Sequence, residues 1–90
     1  MNEEELFEIF KSKNKDKLAI GCEVYKNRKC IIITLGNFKK LKVPFSEFKP
    51  SGTGECPNFE DVEIIDYGQT LRLGVYESTI DCLLDFIEFD

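Results

Sequence analysis

Two stretches of the chain alternate apolar and polar residues with a period of two: Leu18, Ile20, Cys22 and Val24 in the first, Ile31, Ile33 and Leu35 in the second. A charged corner, Lys26-Asn27-Arg28-Lys29, separates them, which is the pattern of a β-hairpin. With Asn27-Arg28 as a two-residue turn, Val24 faces Ile31, Cys22 faces Ile33 and Ile20 faces Leu35. A slip of one residue would oppose this apolar set with Cys30, Ile32 and Thr34, so the pattern itself selects the register.

Further along, Leu41, Val43 and Phe45 alternate with Lys40, Lys42 and Pro44, predicting a third strand from Lys39 to Phe45. Setting Leu41 and Val43 on the same face requires a three-residue loop, 36–38, that pairs Leu35 with Lys39. Gly36 or Asn37 would take the left-handed position such loops need, and Pro44 ends the pairing or marks an edge. A second hairpin is predicted from Val62, Ile64, Leu71, Leu73 and Val75, with a Tyr67-Gly68 turn setting Ile64 opposite Leu71 and Val62 opposite Leu73. Tyrosine suits a type I′ turn poorly, so a longer loop is the alternative there. Between the two hairpins, residues 46–61 hold two prolines and two glycines and read as the one long irregular segment.

Helices are predicted at both ends. Leu6, Ile9 and Phe10, with Phe7 beside them, recur at helical spacing over residues 3–14. Asn2 is placed to cap that helix, and Glu3, Glu4 and Glu5 sit at the positive end of its dipole. Ile80, Leu83, Leu84 and Ile87, widened by Cys82 and Phe86, predict a helix from about Thr79 with Ser78 as its cap. Glu88 and Asp90 sit unfavourably near its carboxyl end. The expected fold is α+β: a five-stranded, mainly antiparallel sheet covered by N- and C-terminal helices, a two-layer sandwich made by residues 1–90 as one domain.

Ninety residues suffice for one small core. No apolar run approaches the roughly 20 residues of a membrane helix, and the acidic start, Met-Asn-Glu-Glu-Glu, is unlike a secretory signal, so a cytoplasmic protein is expected. The net charge of -5 conceals an asymmetry. Residues 11–49 carry eleven bases and three acids, whereas residues 50–90 carry ten acids and Arg72 alone. Such polarity is explained by two halves attracting each other, or by two surfaces with different partners. Histidine is absent and the four cysteines, Cys22, Cys30, Cys56 and Cys82, include no Cys-x-x-Cys, which removes the usual zinc patterns. The hairpin register puts Cys22 and Cys30 on opposite faces; Cys22 and Cys82 fall at apolar positions and read as small core residues.

Several stretches carry residues with candidate chemistry. Ser51-Gly52-Thr53-Gly54-Glu55 looks superficially like a phosphate loop but lacks the Gly-Lys-Ser/Thr that such a loop requires. Cys56 has no neighbouring base to make it a nucleophile. Glu55, Glu60, Asp61, Glu63 and Asp66 could hold a hard cation or supply a pair of catalytic carboxylates. They lack calcium-loop spacing, and nothing selects two of them. Accordingly no catalytic residue, metal or cofactor is expected. Lys26, Arg28, Lys29, Lys39, Lys40 and Lys42, interleaved with Tyr25 and Phe38, form a basic region of the kind that contacts nucleic acid; the acidic balance of the chain and the lack of a recognition helix argue against direct binding. On the predicted last helix, Asp81, Asp85 and Glu88 align along one flank and could imitate a phosphate track.

The run Val62-Glu-Ile-Ile-Asp-Tyr-Gly-Gln-Thr-Leu-Arg-Leu73, followed by Ser78-Thr-Ile-Asp-Cys-Leu-Leu84, resembles a small bacterial family, the domain of unknown function 2442 family. The Cys30-to-Phe45 hairpin and Phe59 are similar too, so the likeness spans about two-thirds of the chain. The chain departs from the family in lacking a tryptophan-proline in its later strands and in adding an N-terminal helix. The resemblance implies a regulatory or antitoxin-like binding role and supplies no site residues.

The function expected from the sequence is therefore that of a small acidic, non-enzymatic module of inhibitor, antitoxin or immunity type, which occupies a partner protein such as a nuclease or other nucleic-acid-binding protein. Its expected surface is loop 46–61 with the flank of the last helix: Glu55, Glu60, Asp61, Asp81 and Asp85 for electrostatic complementarity, with Phe48, Phe59 and Tyr67 as anchors where exposed. The alternatives are a small enzyme or ligand- or metal-binding domain using the carboxylates of loop 46–66, and a homodimer built through an open sheet edge.

Overall fold

A computed structural model describes residues 2–49, 55–86 and 88–89. Its elements run α1 (Glu3–Lys11), β1 (Ala19–Tyr25), β2 (Cys30–Leu35), β3 (Lys40–Pro44), β4 (Val62–Ile65), β5 (Thr70–Leu73), β6 (Tyr76–Thr79) and the two-residue β7 (Glu88–Phe89). Short 3-10 turns occupy Lys15–Lys17, Phe45–Glu47 and Asp81–Leu83.

The strands form two antiparallel sheets instead of one. The first has the order β1-β2-β3-β7 and the second β4-β5-β6. Ile31, Ile33, Leu41 and Val43 of the first sheet join Ile64, Leu71 and Leu73 of the second in one buried cluster. The apolar face of the first sheet is therefore covered by the second sheet and not by helices. This corrects the expected five-stranded sheet with helices at both ends: α1 is the only α-helix among the described residues.

The predicted C-terminal helix is replaced by a turn and a strand. Gly74, in the left-handed region at φ 71°, and Val75 make a two-residue loop, with glycine first as a type II′ hairpin turn demands. Tyr76–Thr79 then pairs with β5, Leu73 opposite Tyr76 and Thr70 opposite Thr79. Ser78 is thus a strand residue and caps nothing. Ile80 and Leu83 are buried, as their helical spacing suggested, but a 3-10 turn delivers them. Aromatic and β-branched residues at 76 and 79 prefer the pleated surface, and the acids near the expected helix end opposed a helix. Ile87 and Asp90 lie outside the described residues.

Both predicted hairpin registers form. Val24 pairs with Ile31 and Cys22 with Ile33 around a four-residue loop, 26–29. Beyond Gly21 the pairing shifts by one, so Ala19, and not Ile20, opposes Leu35 and is fully buried. Leu41 pairs with Ile33 and Val43 with Ile31, closed by the three-residue loop with the Leu35 N–H donating to the Lys39 carbonyl at 2.8 Å. The left-handed residue in that loop is Phe38, at φ 68°, and neither Gly36 nor Asn37. In the second hairpin Val62 pairs with Leu73 and Ile64 with Leu71. Pairing stops at Ile65 and Thr70, so the connection is the longer, four-residue alternative, 66–69; Asp66, Tyr67 and Gly68 take φ 54°, 52° and 83°, and the Gln69 N–H donates to the Asp66 carbonyl.

Helix α1 is capped as predicted: the Glu5 N–H donates to Asn2 Oδ1 at 2.9 Å. It ends three residues early, and of its apolar stripe only Ile9 is buried. That side chain sits between two turns. A Cβ on Gly36 would lie 3.2 Å from Ile9 Cγ2 and one on Gly68 3.0 Å from Ile9 Cδ1. Each would also fall 2.6 Å from a backbone carbonyl, that of Lys15 and Ala19 respectively. Bare backbone at both turns is what lets the helix approach. The Ala19 N–H donates to the Gly68 carbonyl at 2.8 Å, which ties β1 to the second sheet at the same place.

Candidate functional site

Two surfaces stand out from the ordinary solvated face of the molecule. The first lies at the end bearing α1 and the turns 36–38 and 66–69. Because Ile9 alone is seated, Phe7 and Phe10 remain 65% and 42% exposed, although their spacing suggested a core stripe. Phe38, 69% exposed, stacks on Phe10 with ring centroids 5.9 Å apart and planes 28° apart. The left-handed backbone that carries Phe38 costs an L-residue roughly 1–2 kcal/mol, so the ring is displayed in spite of local preference. Lys11 Nζ lies 5.3 Å from the Phe7 ring centroid. Tyr67, also exposed, borders a shallow hollow of about 630 Å³ with Glu4, Glu8 and Lys11 of α1.

The second surface is the outer face of the first sheet. Here the register sets three rows across the strands: Tyr25-Cys30-Pro44, Glu23-Ile32-Lys42 and Gly21-Thr34-Lys40. All of these except Gly21 and Pro44, with Lys26 and Arg28 from the hairpin tip, line an open hollow of about 740 Å³. The Tyr25 hydroxyl donates to Glu23 Oε2 at 2.5 Å. That bond and the Glu23 charge raise the Tyr25 pKa above its usual value, keeping the phenol protonated.

The expected acidic surface does not assemble. Glu60 and Asp61 lie where β4 begins, beside the Gly74-Val75 turn: the Gly74 N–H donates to the Asp61 carbonyl and the Asn58 N–H to that of Leu73. Asp81 lies past the other end of the second sheet, where the Ile80 N–H donates to the Gln69 carbonyl. The length of β4 with its flanking residues, about 15 Å, separates the two groups. Asp81 and Asp85 are exposed but share no helix flank. Glu60 bonds Lys26, and both are well exposed, so the acidic loop meets the basic hairpin tip within the chain. Glu55 is exposed. Ser51, Gly52, Thr53 and Gly54, the stretch superficially like a phosphate loop, lie outside the described residues.

Among the expected anchors, Phe48 is 4% exposed and belongs to the core, edge-on to both Phe59 and Tyr76. Phe59 is half-buried and stacks on Phe45 at 3.9 Å; these rings hold the long loop to the core. Tyr67 is the one anchor left standing in solvent. Sequence reasoning missed Phe7, Phe10 and Phe38 as a group, although all three stand beside charged or glycine-rich segments.

The chain was compared with family models, with curated proteins and with solved structures. It matches none of them. Chemistry must therefore be read from the side chains themselves. No group of three or more Cys, Asp or Glu that could hold a metal ion occurs among the described residues. Burial, and then the Glu23 charge, raises the Cys22 pKa, which leaves that thiol protonated and unreactive. Cys30 is buried, and Cys82, expected in the core, is exposed and accepts a hydrogen bond from Thr79 Oγ1 at 3.0 Å. Among the described residues no helix is long and apolar enough to cross a membrane.

Proposed function

We propose that this protein is a non-catalytic interaction module of inhibitor or antitoxin type, docking on a partner protein through the end that carries α1. The observation that supports this reading is the cluster of Phe7, Phe10 and Phe38, three large rings left in solvent, one of them held out on a left-handed backbone. Rigid aromatic side chains are the commonest anchors of protein interfaces, and strain kept at an exposed position is a mark of function. Tyr67 borders α1 beside these rings, and Asp81 follows Ile80, whose N–H donates to the Gln69 carbonyl in the turn after Tyr67, so Tyr67, Asp81 and Asp85 are kept in the proposed surface. Glu55, Glu60, Asp61, Phe48 and Phe59 are left out of it. The partner's class follows from charge: acids outnumber bases in the chain as a whole and on α1 itself, which suits a basic protein such as a nucleic-acid-acting enzyme. The regulatory or antitoxin-like role implied by the resemblance of residues 62–84 is of the same class.

Affinity capture from an extract of the producing cell, followed by mass identification and titration of the captured partner, tests this. Phe38→Gly relieves the backbone and loses one ring stack, two effects of similar size, so the fold is kept. Loss of one anchor should nevertheless cost about 2 kcal/mol of binding, or about 30-fold in Kd. Asp81→Lys with Asp85→Lys should weaken capture further. Equal capture by all variants would sink the reading.

A further inference from the structure

We propose that the outer face of the first sheet is a binding site for single-stranded nucleic acid, gripped by Arg28, Lys40 and Lys42 with Tyr25 as a stacking platform. None of the exposed phenylalanines lines this hollow, so the site is separate from the protein-docking end proposed above.

The argument begins with which charges are answered. On β2 Lys42 lies opposite Ile32 and Lys40 opposite Thr34, and on β7 Lys40 lies opposite Phe89, so none of these described partners is a carboxylate. Among the described residues, Arg28, Lys40 and Lys42 have no ion-pair partner, whereas Lys26 is engaged by Glu60. Among the described residues the one acid lining the hollow, Glu23, is two strands from Lys42 and accepts from Tyr25. The cations therefore form an unanswered row beside an aromatic ring, with half-buried Ile32 and Thr34 as the floor.

Geometry narrows the ligand. Two residues along a strand are about 6.7 Å apart, so Lys40 and Lys42 match successive phosphates of an extended polynucleotide. The hollow is open, so a chain can enter and leave. Among the described residues neither a helix nor a ribbon projects from this face to enter a duplex groove. An acidic peptide would satisfy the lysines but leave the ring of Tyr25 and the plane of Arg28 without a matching surface, whereas bases stack on both.

The overall negative charge is no obstacle at short range. The acids on the outside of the second sheet, Glu63 and Glu77, face away from this site on the far side of the shared core, Glu63 pairs with Arg72, and Glu60 is engaged by Lys26.

Fluorescence anisotropy with labelled oligo-dT and oligo-U of about 12 nucleotides tests the assignment on the intact chain. Three phosphate contacts predict a slope of log K against log salt of about -2, hence about 20-fold weaker binding at 200 mM than at 50 mM salt. Lys42→Ala should reduce the slope by about 0.7. Lys40→Glu with Lys42→Glu should lose binding at least about tenfold, and Tyr25→Ala about fivefold while Tyr25→Phe keeps it. Circular dichroism of each variant confirms that these exposed positions leave the fold unchanged. The assignment is overturned by any of three results: no anisotropy change at about 100 μM protein, the weak end of non-specific affinity; equal affinity for an oligo-glutamate of the same charge, which would give the face to an acidic protein segment; or equal affinity for the duplex.

Discussion

Across the outside of the second sheet, Glu63, Arg72 and Glu77 stand side by side on three adjacent strands, and Arg72 pairs with Glu63. Across the outside of the first, Lys42 faces Ile32 and Glu23 lies one strand further on. Both sheets bury their inner faces in the same cluster, so they contribute alike to the core. They differ in what they show to water. One sheet pairs the cation of its outer face across the strands, and the other leaves cations unanswered beside a tyrosine. The lesson is that a surface charge says little by being present; what carries information is whether its neighbours across the ladder complete it.

The comparison can be broken most severely through what the sheets share. Ile33→Ala removes a fully buried side chain from the common cluster. It should cost about 2–5 kcal/mol, read as a lower midpoint of one denaturation transition seen equally by probes in either sheet. Two separated transitions would show that the sheets do not share stability.

A smaller effect sharpens the contrast between the outer faces. Arg72→Ala deletes the centre of the completed row and should cost up to about 1 kcal/mol; part of this is offset because Arg72 Nε is buried without a hydrogen-bond partner among the described residues. Lys42→Ala should stay within about 0.5 kcal/mol. Thr34→Glu gives the first sheet the counter-charge it lacks, and should keep or slightly raise stability while abolishing oligonucleotide binding. Equal stability losses at Arg72 and Lys42 would erase the distinction.

The smallest effect concerns Glu23, the acid on the unanswered face. It holds the Tyr25 pKa above its ordinary value and adds to burial in raising that of Cys22. Glu23→Gln should lower both: phenolate absorbance for Tyr25 appears at lower pH, nearer 10, and Cys22 reacts faster with an alkylating reagent at mildly alkaline pH. Cys22 should still lag the exposed Cys56 and Cys82, because burial is the larger cause of its shift. A Tyr25 titration unmoved by the substitution would remove the Tyr25–Glu23 bond from the account.

What the sequence revealed follows the same division between ladder and surroundings. Val24 with Ile31, Ile33 with Leu41 and Ile64 with Leu71 were legible because a period of two makes any slip expose an apolar side chain. β6 was not, since Tyr76-Glu77-Ser78-Thr79 offers little apolar alternation and the residues after it repeat at helical spacing. Nor could periodicity foresee that a second sheet, and not helices, would cover the first; both solutions bury the same stripe. At the site, Phe7 and Phe10 read as core because nothing in the chain says that α1 seats only Ile9. The acids Glu60 and Asp81 look like one cluster in a charge count and lie beyond opposite ends of the same sheet.

The seating of Ile9 bears on how the molecule comes together. Its socket is made of Gly36 from one hairpin and Gly68 from the other, and it does not exist until both have closed. The packing of helix α1 thus depends on both turns at once, and the aromatic rings it displays stand in this array only where the two hairpins have come together.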